Sequence, residues 1–250
     1  VIREGKFTNE RMVNIITYKT DNLEYYKNIF LEFYNEIKNY VSSFYWSIND
    51  TISDVSYGNI NYLLSGEKYI KEKALDNFYY ISPNSFYQPN SYTAEILLKY
   101  VREFADPKEN DIIYDLYSGS GFYAIEIGKY SNYVYAVDNN KENFEMFKLN
   151  KEINNVKSVK FLLSNVEDLE KINADKIIVD PPRPGLHKKV IRKILQSNAK
   201  KIIYVSCYPE TQKRDIDILI NKGNYKLENI ILVDQFPHTY HMETIALLNK

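Results

Sequence analysis

The stretch that decides the fold is IIYDLYSGSGF, residues 112–122. Its apolar run ends at Leu116, and Gly119 and Gly121 stand between that run and a segment with helical spacing. Glycine allows a sharp turn and a close approach of the backbone to a ligand, while the first amides of a helix point at whatever is bound there. The stretch therefore predicts a strand, a ligand-binding turn and a helix. Counted with Ala124, the spacing also fits a dinucleotide fingerprint, so this motif leaves the ligand open.

Around this stretch, strand and helix patterns alternate from residue 86 to the end. Strands are predicted at Ile112–Leu116, Tyr133–Val137, Val159–Leu163, Lys176–Val179, Ile202–Val205, Tyr225–Val233 and Thr244–Leu248. Helices are predicted at Ser91–Phe104, with Ser91 as the cap, and at Tyr123–Lys129, Lys141–Asn150, Lys188–Ser197 and Glu210–Asn221. Alternation of this kind is typical of an α/β fold with a doubly wound, mostly parallel sheet, here of seven strands. Ligands of such sheets bind beyond the carboxyl ends of the strands.

The first 85 residues predict a smaller mixed α/β subdomain. Strands are expected at Met12–Tyr18, Ser43–Ile48, Ile60–Leu64 and Phe78–Ile81, and a polar loop from Asn49 to Ser53. A helix capped by Asp21 should run to Tyr40. Its apolar stripe, Leu23, Tyr26, Phe30, Phe33 and Ile37, is expected to be core. The turn cluster SPNS at residues 82–85 predicts a boundary between domains 1–85 and 86–250.

Composition excludes several classes of protein. The 32 Lys and Arg residues nearly balance the 33 Asp and Glu residues, so any nucleic-acid contact should be local rather than global. One cysteine in 250 residues excludes a disulfide framework and a thiolate-ligated metal cluster, and it favours a reducing cytoplasm. No apolar run is long enough for a membrane helix. Because the chain starts at Val1 in polar sequence, we expect a piece of a longer protein; the sequence gives no indication of oligomeric state.

Four further clusters follow predicted strands. Asp138 ends the second strand of the sheet, where a carboxylate can accept hydrogen bonds from ribose hydroxyls. Asp180 precedes two prolines that stiffen its loop. Cys207 follows another strand and reads as a nucleophile or as a small buried hydrophobe. The last cluster, DQFPHTYHME at residues 234–243, holds two histidines three residues apart, but it offers no third histidine or cysteine ligand, so we expect no metal.

Together these stretches resemble the S-adenosylmethionine-dependent RNA uracil-5 methyltransferase family. The resemblance runs from Val1 to the C-terminus and is carried by motifs in one order: REG at 3–5 with MVN at 12–14, SIND at 47–50, SPNSFYQ at 82–88, DLYSG at 115–119, DPPR at 180–183, SCYP at 206–209 and FPHT at 236–239. The order of so many motifs is specific, and it implies a Rossmann-like methyltransferase that acts on uridine in transfer or ribosomal RNA.

The resemblance also implies roles for particular residues. Cys207 would be the nucleophile and Glu243 the base. The residues expected to line the S-adenosylmethionine site are Gln88, Asp115, Tyr117, Gly119, Gly121, Asp138, Asn165 and Asp180. Phe122 and Tyr208 stand where the family usually has asparagine. The family's N-terminal oligonucleotide-binding barrel is not expected in this chain.

Three other interpretations stay open at this stage. An amino-group methyltransferase would usually place an aromatic residue where Arg183 follows the prolines. A cofactor-binding, RNA-associated module would bind without turnover, and a dinucleotide oxidoreductase would bind NAD. For RNA phosphates, the local basic candidates are Lys188, Lys189, Arg192, Lys193, Lys213 and Arg214, which could equally form a solvated helix face.

Overall fold

The computed structural model describes residues 1–51 and 57–250. By its internal contacts the chain divides into two compact units, Val1–Phe86 and Tyr87–Lys250. Ser53, the end of the predicted polar loop, lies outside the described residues. Among the described residues, no helix combines the length and the apolar character needed to cross a bilayer.

The second unit contains a seven-stranded sheet with helices between its strands. The strands are β7 (Ile112–Leu116), β8 (Tyr133–Asp138), β9 (Val159–Leu163), β10 (Lys176–Val179), β11 (Lys201–Ser206), β12 (Lys226–Val233) and β13 (Glu243–Asn249). The helices are α2 (Ser91–Ala105), α3 (Phe122–Ile127), α4 (Lys141–Ile153), α5 (Lys188–Gln196) and α6 (Pro209–Gly223), with a 3-10 turn at Val166–Asp168. The predicted doubly wound α/β fold is confirmed.

The strand order of this sheet is β12-β13-β11-β10-β7-β8-β9. Its first strand along the chain, β7, therefore lies inside the sheet, between β10 and β8. Strands β7 to β11 are parallel, whereas β13 is antiparallel to both β11 and β12. The chain winds outward from β7 through β8 and β9, and on the other side from β10 through β11. The strand order therefore reverses between β7 and β10, which is where ligands of such sheets bind.

Burial on both faces explains the unbroken apolar runs of the central strands. Residues 177–179 of β10 and 202–205 of β11 have no exposed surface. Ile177, Val179, Ile202 and Tyr204 belong to a core that also includes Val190 and Ile194 of α5 and Leu219 of α6. The predicted cap of α2 was wrong. The cap of α2 is Asn90 rather than Ser91, because the Asn90 side chain accepts hydrogen bonds from two free amides of the first turn.

The first unit contains a four-stranded sheet and a hairpin. Its strands are β1 (Ile2–Gly5), β2 (Glu10–Thr17), β3 (Ser43–Ile48), β4 (Ile60–Gly66), β5 (Ile70–Ala74) and β6 (Asn77–Ile81), and its helix is α1 (Leu23–Ile37), followed by a 3-10 turn at Lys38–Tyr40. The sheet order is β1-β2-β3-β4, with β2 and β3 parallel, and β5 pairs with β6. Strands β1 and β5 were not predicted from the sequence.

The predicted core stripe of α1 was wrong. Phe30 and Phe33 do contact Trp46 and Phe44 of β3 through their rings, at 5.4 and 6.3 Å between centroids. Yet no residue of α1 is buried, and Phe33 is 47% exposed. The helix lies on the sheet without being enclosed, so its apolar spacing reports a contact face rather than a core. The predicted cap Asp21 is also wrong, since the helix is preceded by Asn22, which makes no capping bond.

Candidate active site

The turn after β7 forms an open cradle at the point where the strand order reverses. Tyr117, Gly119 and Gly121 all have positive φ, at 62°, 54° and 85°. A side chain at Gly121 would collide with Phe147, whose Cδ2 lies 2.6 Å from the position of a Cβ. In contrast, no described atom lies within 4 Å of the corresponding position at Gly119. The turn therefore packs on one side and leaves room for a ligand on the other.

Asp138 connects this turn to the end of β8. Its Oδ2 accepts a hydrogen bond from the amide of Gly119 at 3.0 Å. Its Oδ1 accepts from the amide of Asn140 at 2.9 Å and from the side-chain amide of Asn143 at 3.1 Å. An ionised carboxylate has about four acceptor positions, so Asp138 keeps capacity for a further donor such as a hydroxyl.

Asp115 lies beneath the turn with no exposed surface. Its Oδ2 accepts from the amide of Ala124 at 2.9 Å, whereas no donor among the described residues reaches its Oδ1. Burial, and to a lesser degree the carboxylates of Asp180 and Asp138, raise the pKa of Asp115 well above its usual range. A buried acceptor without a partner is costly, and a ligand cation or donor would satisfy it.

Tyr117 and Asn165 stand on the loops that follow β7 and β9. The Tyr117 hydroxyl donates to Glu167 Oε1 at 3.2 Å, and burial raises the pKa of that hydroxyl. Asn165 is exposed and its amide is used on both sides: Nδ2 donates to Asp168 at 2.6 Å, and Oδ1 accepts from Asn139 at 2.8 Å. Both predicted residues are at the carboxyl edge of the sheet, but the amide of Asn165 is already engaged.

Gln88 precedes α2 and is 7% exposed. Its Oε1 accepts a hydrogen bond from Nε2 of Gln235 at 2.7 Å. Gln235 is itself buried and accepts from the hydroxyl of Thr93. In the sequence, Gln235 is one residue of the 234–243 cluster, and its position between Asp234 and Phe236 gives no sign of this contact.

The register of β11 and β13 brings Cys207 to Glu243. Ser206 pairs with Thr244, so Cys207, the next residue, lies opposite Glu243, the first residue of β13. Glu243 is 7% exposed, and burial together with the charge of Asp180 raises its pKa to about 8. Cys207 is partly exposed and forms no disulfide. Thus a thiol and a carboxyl of high proton affinity lie together at one edge of the sheet.

Three charged groups act on Cys207. Burial raises the pKa of its thiol, and the carboxylates of Glu243 and Asp180 raise it further. The guanidinium of Arg183 opposes this by hydrogen bonding to the sulfur and by its positive charge. Asp180 has its own partner, because the hydroxyl of Tyr123 lies 3.4 Å from its Oδ2. Burial raises the pKa of Asp180 to about 6, and the Tyr123 hydroxyl limits that rise.

From the sequence, Tyr123 is predicted only to start a helix. It is 3% exposed, and the charges of Asp180, Glu243 and Asp115 act on its hydroxyl. Burial and these charges raise the pKa of Tyr123 well above its usual range. The sequence did offer a sign that Tyr123 belongs to the site. Tyr123 lies two residues after Gly121, on the first turn of α3, which directly follows the ligand-binding turn.

The two histidines lie on the loop between β12 and β13. His238 is exposed with φ of 67°, and the ring of His241 lies 4.2 Å from that of Tyr240. In the described parts of the chain, no three His, Cys, Asp or Glu side chains group in a way that could hold a metal ion. The expectation that there is no metal site stays a prediction.

Three of the basic candidates for phosphate contacts are already engaged. Lys193 donates to the carbonyl of Glu167, Lys213 pairs with Asp217, and Arg214 pairs with Asp215. Lys188, Lys189 and Arg192 are exposed on α5, directly after the loop that carries Asp180 and Arg183. These three remain the candidates nearest in sequence to the site.

The sheet order and the open glycine turn define a Rossmann-like methyltransferase fold. The chain matches the tRNA (uracil-5-)-methyltransferase family over residues 59–172 and 161–250. It is 47% identical, over its whole length, to an uncharacterised RNA methyltransferase of Nanoarchaeum equitans, of which it covers 54%. It is 35% identical over its whole length to the 23S rRNA (uracil(747)-C(5))-methyltransferase of Pyrococcus abyssi, of which it covers 57%.

A solved structure agrees with these relatives. The tRNA (uracil-54, C5)-methyltransferase of Pyrococcus abyssi, in complex with S-adenosyl-L-homocysteine, matches with a TM-score of 0.80 and 37% identity, over 99% of this chain and 58% of that one. The chain therefore belongs to the tRNA (uracil-5-)-methyltransferase family, as the motif order predicts. It spans slightly more than half the length of these relatives.

Proposed function

We propose that this chain transfers a methyl group from S-adenosylmethionine to carbon 5 of a uridine in structured RNA, through a covalent bond between Cys207 and carbon 6. The observation that carries the proposal is the strand register that sets Cys207 opposite Glu243, with Asp180 acting on both. Family membership and the names of the relatives support the reaction and a transfer or ribosomal RNA substrate.

The cofactor would bind in the cradle after β7, with residues 86–250 as the catalytic domain. Two features of the cradle fit an adenosyl amino acid: the open space at Gly119 and the Oδ1 of Asp115, which no donor in the described part of the chain reaches. The second could accept from an ammonium group, and Asp138 retains acceptor capacity for ribose hydroxyls. The remaining residues assigned to this site are Gln88, Tyr117, Gly121, Asn165 and Asp180. When bound, the cofactor supplies an electrophilic methyl group.

Carbon 5 of uracil is a poor nucleophile, and Cys207 would activate it by adding to the ring. Its thiolate adds to carbon 6, so that a sulfur–carbon bond forms and the π electrons of the C5–C6 bond move into an enolate. Carbon 5 can then attack the methyl group, whose bond to the cofactor sulfur breaks with the electron pair remaining on that sulfur. The product of this step is a methylated ring that is still bonded to Cys207.

Glu243 would resolve this adduct. Its carboxylate takes the proton from carbon 5, the C5–C6 double bond re-forms, and the bond from carbon 6 to Cys207 breaks with its electron pair on sulfur. A pKa of about 8 makes Glu243 a stronger base than an ordinary carboxylate. The uridine must lie in a loop or be flipped out, because carbon 5 cannot be reached in this way inside a stacked helix.

The test uses RNA that contains 5-fluorouridine, together with labelled cofactor. Fluorine cannot leave as a proton does, so we expect a protein–RNA adduct that survives denaturation and carries the labelled methyl group. Cys207→Ala should form none, and Glu243→Gln should accumulate adduct even on ordinary uridine. An adduct formed by Cys207→Ala would disprove the nucleophile, while rapid product release by Glu243→Gln would assign the base to another group.

Binding without catalysis is the alternative outcome. If the wild-type chain binds S-adenosylmethionine in calorimetry, yet forms neither an adduct nor 5-methyluridine on any unmodified RNA, the chain is a cofactor-binding module. Activity on an exocyclic amino group would instead appear as a methylated adenine, cytosine or guanine in digested RNA.

A further inference from the structure

Helix α6 is bonded to the loop that carries Arg183. We define the proline loop as residues 180–187, which follow β10 and precede α5. The Thr211 hydroxyl lies 2.9 Å from the carbonyl oxygen of Arg183, and Nη2 of Arg214 donates to the carbonyl of Pro184 at 2.9 Å. In the opposite direction, the amide of Leu186 donates to Oδ2 of Asp215 at 2.7 Å. Side chains of one helix thus bind three backbone positions of this short loop.

Asp215 is the centre of this arrangement. It has no exposed surface, and it accepts a hydrogen bond from the hydroxyl of Tyr204, on β11, at 2.7 Å. Its Oδ1 accepts from Nε and Nη2 of Arg214 at 2.9 and 2.7 Å. Asp215 therefore ties the proline loop to the strand that leads into Cys207. Charge-assisted bonds of this kind are the stronger ones in proteins.

The proline loop packs closely against Asp215 and Arg214 at Gly185. Gly185 has φ of +77°, and a Cβ there would lie 2.6 Å from Asp215 Oδ2 and 2.7 Å from Arg214 Nη2. The Thr211 hydroxyl is also 3.1 Å from the carbonyl of Tyr208, the residue after Cys207. One hydroxyl therefore lies between the residue that follows the thiol and the residue that supplies the guanidinium.

The groups that act on the Cys207 sulfur come from two elements. Glu243 belongs to β13, and Asp180 and Arg183 belong to the proline loop. Of these, Arg183 is the one positive group, and it is an exposed residue. Holding its backbone in place limits the positions that the guanidinium can reach and so favours its contact with the sulfur.

We propose that Thr211 and Asp215 are positioning residues that hold the proline loop so that the Arg183 guanidinium stays against the Cys207 sulfur. Their importance for methyl transfer rests on the function proposed above, whereas the contact itself does not. Neither residue touches the reacting atoms. Their effect reaches the thiol through the backbone at Arg183 and, for Asp215, also through Tyr204.

The test measures alkylation of Cys207 by iodoacetamide as a function of pH, without RNA or cofactor. The midpoint of the profile reports the pKa of the thiol, and its plateau at high pH reports access to the sulfur. Thr211→Val removes the hydroxyl at constant shape, and Asp215→Asn removes the charge that holds Arg214. For both we expect the midpoint to rise by about one pH unit, which slows alkylation roughly tenfold below the midpoint.

Two variants serve as controls. Thr211→Ser keeps the hydroxyl and should restore the wild-type midpoint. Asp217→Asn makes the same change on the same helix, but Asp217 is exposed and pairs only with Lys213 among the described residues, at 2.6 Å, so the midpoint should stay unchanged. Circular dichroism checks that each variant is folded, and Thr211→Val decides the question if Asp215→Asn does not fold.

Unchanged midpoints in folded Thr211→Val and Asp215→Asn would overturn the proposal, as would a change of the plateau alone, which reports access only. This outcome is separable from that of the proposed function. If the midpoints shift as expected but the wild-type chain forms no RNA adduct, the positioning role stands and the methyl transfer fails.

Discussion

The two glycines of the turn after β7 should respond differently to one added methyl group. Gly119→Ala and Gly121→Ala both place an alanine at positive φ, which costs about 1–2 kcal/mol per residue. At Gly121 the new Cβ would also lie 2.6 Å from Phe147 Cδ2 and 3.2 Å from its Cε2. Relieving such an overlap costs a further ~1–3 kcal/mol. We therefore expect the free energy of unfolding to fall by about 1–2 kcal/mol for Gly119→Ala and about 2–5 kcal/mol for Gly121→Ala.

Among folded molecules, we expect Gly119→Ala to weaken the binding of S-adenosylmethionine more than Gly121→Ala does. The Cβ of Gly119→Ala meets no described protein atom within 4 Å, so it points into the space assigned to the cofactor. We expect this variant to lose at least about tenfold in affinity for S-adenosylmethionine, which corresponds to ~1.4 kcal/mol. Urea titration followed by circular dichroism measures the stability of each variant, and isothermal calorimetry at a temperature where both are folded measures the affinity.

Two outcomes would refute this reasoning. Wild-type affinity in folded Gly119→Ala would mean that the open side of the turn is not where the cofactor binds. A loss of stability at Gly119 equal to that at Gly121 would mean that the collision with Phe147 is relieved by a small shift of the ring, and that backbone conformation alone decides both costs.

Three other predictions concern single side chains. The release of methylated product should accelerate as the pH rises towards 8, because Glu243, with a pKa of about 8, must be ionised to take the proton, and rapid-quench measurement of adduct decay follows this. Tyr123→Phe should raise the pKa of Asp180 above about 6, since it removes the hydroxyl that favours the carboxylate, and carbon-13 titration of labelled aspartate reports it. Arg102→Ala should cost about 1.5–3 kcal/mol in urea unfolding, because it breaks a 2.7 Å charge-assisted bond to Glu126, whose side chain is 2% exposed and keeps Lys129 as a second partner at 3.5 Å.

Arg102→Ala has a matched control, and each of the other two predictions has an outcome that would contradict it. Lys148→Ala removes an exposed partner of Glu145 and should change stability by less than about 1 kcal/mol. A Tyr123→Phe variant with an unchanged Asp180 titration would show that the 3.4 Å contact is too weak to affect the carboxylate. Product release that is independent of pH between 6 and 8 would remove Glu243 as the base, and His241 would then be the next group to replace.

The pH dependence of stability offers an independent measurement of Glu243. Its pKa is raised on folding, from 4.5 to about 8, so the folded state binds more protons than the unfolded state between these values. The stability that Glu243 contributes is therefore present below pH 4.5 and is lost as the pH rises through about 8. Glu243→Gln does not titrate, and its stability should fall less than that of the wild type across this window.

Sequence periodicity was sufficient for the second unit because its strands are covered on both faces. Unbroken apolar runs such as residues 202–205 leave one reasonable assignment, and the turn residues between them fix where each strand ends. The same argument failed for α1. Spacing at three and four residues records which side of a helix is apolar, but whether a second layer covers that side depends on tertiary structure, and in α1 even Phe33 stays 47% exposed.

The site also contains residues that the sequence predicts and contacts that it does not. Cys207, Glu243, Asp115 and Asp138 could be proposed because they lie in motifs at or next to strand ends, and the family resemblance that these motifs carry implies their roles. Gln235 was not proposed as a partner of Gln88, since a contact between side chains 147 positions apart leaves no local pattern.

The electrostatics of Cys207 suit a nucleophile that must both attack and leave. A higher pKa makes a thiolate a better nucleophile, whereas a lower pKa makes it a better leaving group. Of the two carboxylates that raise the pKa of this thiol, Glu243 has the larger effect, and it raises that pKa only while it is ionised. In the proposed reaction Glu243 becomes neutral when it takes the carbon 5 proton, so the penalty on the thiolate disappears in the step that expels it. The Arg183 guanidinium favours the thiolate throughout. Base and leaving group are thus coupled by charge, and their positions fit this coupling, because Cys207 directly follows β11 and Glu243 begins the adjacent strand β13.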